Sequence, residues 1–294
     1  MSDRRIGVII NGATGRMGTT QHMANLLAIA SDGGLELHNG DRLIPELLLV
    51  GRDPDRLKTL AAVNGDQRWT TSLDEALAGP DAIFMDCAAT GDRPARVRKA
   101  IAAGKHIHIE KPTAPTIEQA VGLAGAAEAA GVKHGVIQDK LFLPGFAKLL
   151  FVKNAGLFGR ILSIRIDAGS WIFDGKTQQC QRPSWNYKRV EGGGIALDMM
   201  AHWRYMIDRL AAPITAVCAL MATAMPERVD EQGRITSMPR IRHMHCCSSL
   251  GERWLLSPTV GRRAFGGTTP WLCKSTEPSV QRWLAGIIAS RRQQ

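Results

Sequence analysis

Apolar residues fall in two rhythms along the first part of the chain. Nearly continuous runs, Ile6–Ile10, Leu47–Val50 and Ile83–Met85, predict buried strands. Between them lie segments with apolar residues three and four apart, which predict helices. One spans Met17 to Ala30, with Met23, Leu26, Leu27 and Ala30 on its apolar face. Others cover 53–63, 74–79, 93–104 and 116–131. The last opens on Thr116-x-x-Gln119 and closes on a glycine. Residues 31–42, rich in glycine and asparagine, predict a loop with a small hairpin. Residues 105–110 alternate polar and apolar positions as a strand does, then meet Lys111 and Pro112. A last strand is expected over 132–139.

Strands alternating with helices over this length predict an α/β domain with a doubly wound parallel sheet, residues 1–140. After Leu141 the order changes. Helices are expected near 144–156 and 193–211, and strands near 160–171 and 214–223. Residues 141–234 therefore read as a second, α+β domain, and 235–294 as an atypical tail.

The junction of the first strand and first helix carries Gly12-Ala13-Thr14-Gly15-Arg16-Met17-Gly18. Glycines there let backbone N–H groups approach a pyrophosphate, and the helix N-terminus adds partial positive charge. A plain glycine turn has the same spacing. The βαβ setting favours dinucleotide binding. The second strand ends Val50-Gly51-Arg52-Asp53. The position that often holds a ribose-binding acid is read as Gly51, with Arg52 beside it. A small residue leaves room for a 2′-phosphate and a guanidinium pairs with one, which favours NADP(H), with NAD(H) as the alternative. In the contrary reading Arg52 caps the next helix and Asp53 takes the ribose.

Asp198 and His202, spaced i, i+4, follow Gly192-Gly193-Gly194. On a helix they share a face one turn apart. A histidine beside a carboxylate suits acid–base work near neutral pH. The spacing equally fits a surface pair or a hydrogen-bonded core histidine.

Composition narrows the classes. Hydrophobic residues are 45% and charged residues 22% of the 294, a globular profile. No apolar run approaches the ~20 residues of a membrane span, and the short run after Arg5 is no secretory core. Six cysteines without CxxC spacing suggest free thiols, a cytoplasmic setting and no metal site. The net charge is +10, but from Ile235 onward nine Lys/Arg face only two Asp/Glu. No nucleic-acid motif accompanies that surplus, so no nucleic-acid or membrane partner is expected.

The glycine turn, the strand end Glu110-Lys111-Pro112 and the glycine-led Asp198/His202 run occur in this order, and over about residues 4–233 the chain resembles the Gfo/Idh/MocA oxidoreductases. The resemblance implies a Rossmann domain followed by an α+β domain with an open-faced antiparallel sheet. It implies hydride transfer between a nicotinamide and a hydroxyl-bearing carbon of a sugar, cyclitol or similar polyol. It implies that Lys111, before a cis Pro112, hydrogen-bonds the reacting hydroxyl and fixes the nicotinamide. His202 exchanges the proton and Asp198 orients the substrate. Gly12, Thr14, Gly15, Arg16, Met17, Arg52, Thr90, Glu110 and Pro112 line the cofactor. Arg93 stands where the family often has a histidine, and Lys140 where it often has an arginine. The chemistry agrees: an ammonium near the oxygen stabilises developing negative charge, and a histidine completes the proton exchange. Trp171, Trp185, Tyr187 and Trp203 are candidate walls for a sugar ring, at least two of them expected in the core. A homo-oligomer is expected of the family.

The likeness stops near Arg234. Taking the third base of each codon with the first two of the next, residues 236–245 can read Val-Asp-Ala-Glu-Asp-Thr-Ala-Tyr-Ala, in which Met238-Pro239 and Met244-His245 force alanine. A shifted reading frame is therefore expected in the tail, leaving the second sheet incomplete and the oligomer in question. Two other functions compete: a catalytically impaired nucleotide-binding protein, and a dihydrodipicolinate-reductase-like enzyme, suggested by the glycine turn but lacking a His-His-x-x-Lys run.

Overall fold

In the computed structural model, residues 3–166, 193–219, 227–237, 246–249 and 271–274 are described, together with 175, 176, 178, 180, 186–188 and 223. The chain divides into two compact units, Met1–Ile137 and Gln138–Gln294.

The first unit is built on a seven-stranded sheet. Its strands are β1 (Asp3–Asn11), β2 (Leu35–Glu36), β3 (Arg42–Val50), β4 (Arg68–Thr70), β5 (Ile83–Asp86), β6 (His106–Ile109) and β7 (His134–Val136). The parallel strands run β4-β3-β1-β5-β6-β7, and β2 pairs antiparallel with β3 as the expected small hairpin. The order reverses direction between β1 and β5, the switch point at which open parallel sheets bind ligands. The register aligns the carboxyl ends: Val50 pairs with Asn11, Asn11 with Asp86, Asp86 with Ile109 and Ile109 with Val136. The loops that follow therefore start from one line across the sheet.

The helices are α1 (Ala24–Ser31), α2 (Pro54–Val63), α3 (Leu73–Ala78), α4 (Arg93–Ala102) and α5 (Ile117–Ala129). The alternating strand pattern sends Ile9, Phe84, Ile107 and Ile109 to one face, where they pack with Val97, Ala100 and Ile101 of α4 and Leu123 and Ala127 of α5. Val8, Ile10, Leu49 and Met85 go to the other, against Met23 and against Leu57 and Ala61 of α2. The caps match the sequence. Thr116 Oγ1 accepts from Gln119 N at 3.3 Å, and Asp53 Oδ1 accepts from Arg56 N at 3.0 Å with Pro54 at the first helical position.

Two local features differ from expectation. The first helix begins as a π-wound segment, Gly18–Met23, before α1. There Thr19 and Thr20 donate their hydroxyls to the carbonyls of Gly15 and Arg16, four residues back, at 2.9 and 2.6 Å. Strand β4 carries no sequence signal, being three residues long with Arg68 and Trp69 exposed.

The second unit contains a 3-10 turn (Asp139–Phe142), α6 (Pro144–Asn154) and α7 (Ile195–Leu210). Its described strands are β8 (Ser163–Ile166), β9 (Ala216–Ala219), β10 (Glu227–Val229), β11 (Ile235–Ser237), β12 (Cys246–Ser249) and β13 (Trp271–Lys274). They form antiparallel pairs β13–β8, β12–β9 and β10–β11. Phe146, Ile164, Ile166, Trp203, Met206, Ile207 and Leu210 make its core. Trp203 is thus a core residue and not a substrate wall. Among the described residues no helix is long and apolar enough to cross a membrane.

Candidate active site

The glycine turn leaves β1 at the switch point. Gly12 N and Ala13 N both donate to Val50 O, at 2.9 and 3.1 Å, which pulls the turn across the end of β3. Gly12 has φ +78°, and a Cβ there would stand 2.7 Å from Ala88 N. A Cβ on Gly18 would lie 2.7 Å from Gly12 O, so the helix packs against the turn only without a side chain. Gly15 is exposed, and a Cβ there would meet only Gly12 O, at 3.1 Å. Thr14, Arg16 and Met17 complete the loop; Arg16 is exposed, and Arg56 donates to Thr14 O at 3.1 Å. This cradle, bare of side chains where a backbone must approach a phosphate, fits a dinucleotide.

At the end of β3, Gly51 is followed by an exposed Arg52. Asp53, not Arg52, caps α2, so the reading in which Arg52 is the cap is overturned. One oxygen of the Asp53 carboxylate is thereby committed to the helix N-terminus.

The ends of β5 and β6 carry a buried polar cluster. Asp86, fully buried, accepts from Asn11 Nδ2 at 2.6 Å, from Arg93 Nε at 2.9 Å and from Arg96 at 3.2 Å. Arg93 also donates to Ala88 O at 2.8 Å and to Pro112 O. Thr90 is buried, and its carbonyl accepts from Arg93 N at 3.1 Å at the start of α4.

Glu110 begins the loop after β6 and is buried. Its Oε1 lies 2.7 Å from His22 Nε2, and its Oε2 accepts from Lys111 N at 3.1 Å. Lys111 is half-buried, and the Lys111–Pro112 bond is cis, as the resemblance implies. Burial, with Glu110 and Asp86 adding to it, pushes the Cys87 thiol well above its usual range, which makes it a poor nucleophile. His108 keeps an exposed edge, yet desolvation of the ring and the neighbouring His22 hold its pKa below the usual value.

In the second unit, α7 places Asp198 in its first turn and His202 one turn on. His202 is only 2% exposed. A carboxylate oxygen, Asp139 Oδ1, lies 4.0 Å from His202 Nδ1. Lys140 follows on the same 3-10 turn, 3.4 Å from Asp139 Oδ2. The Arg228 guanidinium covers the Tyr187 ring at 4.4 Å from its centroid. Trp171 and Trp185 lie outside the described residues.

Sequence reasoning missed Asp139, His22, Asp86 and Asn11, which gain their partners only through the fold. The histidine that the family often has where Arg93 stands drew attention to that position, but not to its three acceptors. Among the described residues no group of three or more His, Cys, Asp or Glu could hold a metal ion.

A Rossmann sheet with a glycine-rich phosphate turn and a lysine after a strand two places away defines a dinucleotide-binding protein of two units. Two family models match consecutive parts of the chain: the oxidoreductase family with an NAD-binding Rossmann fold over residues 6–138, and the GFO/IDH/MocA C-terminal domain over 147–238. The chain belongs to the Gfo/Idh/MocA family. It is 44% identical over 231 residues to D-xylose dehydrogenase of Paenarthrobacter nicotinovorans, a match spanning 78% of this chain and 60% of that one. It is 29% identical over 181 residues to levoglucosan dehydrogenase of Pseudarthrobacter phenanthrenivorans, spanning 61% of this chain and 45% of that one. The chain thus spans about half to three-fifths of the length of these relatives. Among solved structures, levoglucosan dehydrogenase in complex with NADH and levoglucosan superposes with a TM-score of 0.78 at 20% identity, over 93% of this chain and 72% of that one.

Proposed function

We propose that this protein is an NAD(P)-dependent oxidoreductase that transfers a hydride between a nicotinamide and a hydroxyl-bearing carbon of a sugar or related polyol. The observation that carries this reading is the placement of Lys111. It follows a strand end in line with the glycine turn, and its backbone is held by Glu110 on one side. The 44% identity to a D-xylose dehydrogenase supports a pentose as the first substrate to test.

When bound, the nicotinamide supplies or accepts the hydride. Gly12, Thr14, Gly15, Arg16 and Met17 hold the pyrophosphate through backbone N–H groups and the helix N-terminus. Thr90, Glu110 and Pro112 shape the nicotinamide end. The Lys111 ammonium stabilises negative charge developing on the substrate oxygen. His202 takes or returns the hydroxyl proton at Nε2, with Asp139 4.0 Å away on the Nδ1 side, beyond hydrogen-bond reach. Asp198, Lys140, Trp185 and Tyr187 are assigned to the substrate. The exposed Arg52 beside Gly51, with Asp53 engaged as a cap, favours the 2′-phosphate of NADP(H) over NAD(H).

Fluorescence titration with NADH and NADPH, followed by turnover of D-xylose, levoglucosan and myo-inositol, tests this. Binding of either cofactor with turnover that Lys111→Met and His202→Asn both lower is expected. Cofactor binding without turnover of any polyol would favour the impaired nucleotide-binding reading. Absence of binding by folded protein would overturn both.

A further inference from the structure

Arg93 is a guanidinium buried to 1% exposure. Its donors point three ways: Nε to Asp86 Oδ2 at 2.9 Å, one terminal nitrogen to Ala88 O at 2.8 Å, the other to Pro112 O. The acceptors belong to the end of β5, the loop after it, and the residue that follows Lys111. A buried ion pair is a weak source of stability, because desolvation offsets much of the attraction. What a planar fork supplies is geometry: its donors hold several acceptors at fixed angles, which an ammonium on a flexible stem does not. Asp86 fixes the fork from behind and also accepts from Asn11, the residue before the phosphate turn. The Pro112 carbonyl lies beyond β6, so no strand partner holds it.

We propose that Arg93 is a positioning residue for Lys111, acting through the Pro112 carbonyl, with Asp86 and Asn11 registering that clamp against the glycine turn. From one side Lys111 is fixed by Glu110, and from the other by Arg93. That the placement serves catalysis rests on the function proposed above; the clamp itself does not.

Two readouts separate these. Trace acetylation with acetic anhydride, followed by peptide mass spectrometry, compares Lys111 with the exposed Lys133 in wild type, Arg93→Met and Arg93→Lys. Loosening the clamp is expected to change the Lys111/Lys133 labelling ratio at least 3-fold in folded protein of either variant. An unchanged ratio in a folded variant overturns the clamp. Turnover of D-xylose with NAD+ or NADP+ is then expected to fall at least 10-fold in kcat, with KM and the NADH dissociation constant within about 3-fold of wild type. A variant in which kcat per cofactor-binding site stays at the wild-type value has only a structural arginine, and the positioning role fails. A changed labelling ratio with Lys111→Met still fully active leaves the clamp in place and removes the function proposed for the lysine.

Discussion

The turns that follow β1 and β6 start from the same line of strand ends, two strands apart, and are held by opposite means. After β1 the chain removes side chains. Gly12 and Gly18 let backbone pack on backbone, and the two N–H groups on Val50 O pull the turn into place. After β6 the chain adds buried charge. Glu110 and Arg93 hold the backbone on either side of Lys111. Under the function proposed above, the difference follows from what each turn would present. A phosphate is recognised by bare backbone N–H groups, whereas a lysine ammonium must be aimed, and aiming needs fixed neighbours.

Four changes break this comparison at different depths. Lys111→Met removes the presented group and leaves both scaffolds intact. Turnover should fall by about 10²–10⁴-fold with NADH affinity nearly unchanged, as measured by steady-state kinetics beside a fluorescence titration. Gly12→Ala forces a Cβ against Ala88 N and a left-handed φ on alanine. The backbone term alone costs about 1–3 kcal/mol. Cofactor affinity and melting temperature should both drop, seen in titration and thermal denaturation. Asp53→Ala removes a cap from α2 outside both turns. It should cost about 1 kcal/mol of stability and leave binding of NADH within a few-fold, measured by denaturant unfolding. The smallest effect is pH-dependent. His108 has a folded pKa below its ordinary 6.5, so below about pH 6.5 the unfolded chain takes up a proton that the folded chain resists. Stability should be unaffected above that pH and decline below it, with His108→Asn flattening the decline.

The Rossmann half was legible wherever its devices are local. Strands announce themselves by continuous apolar runs, helices by spacing and caps such as Asp53 and Thr116, and the phosphate turn by its glycines. Strand β4 was missed because three half-polar residues carry no period. The Arg93 fork and the His22–Glu110 pair were missed for another reason. Pro112 lies 19 residues from Arg93 and Glu110 lies 88 from His22, and only the fold brings them together. In the second unit Asp198 and His202 lie on one helix as their spacing predicts, but Asp139, a carboxylate near His202, comes from a turn 63 residues earlier, which no spacing rule reaches. The expectation of a shifted frame beyond Arg234 falls mainly outside the described residues. The C-terminal family match ends at residue 238, close to that point. Sequencing the gene across the codons for residues 225–240 tests it: a single-base insertion or deletion is expected, and an intact frame shared by relatives would contradict it.

The proposed function has the lysine after β6 doing chemistry on a polyol bound beside a cofactor held by the turn after β1. The most direct measurement is NADH or NADPH formation from D-xylose by wild type and Lys111→Met, at saturating cofactor, with cofactor affinity measured on the same samples. Turnover by the wild type, loss of at least 100-fold in the variant and equal cofactor affinity in both are expected of this function. Equal turnover in the two proteins would contradict it.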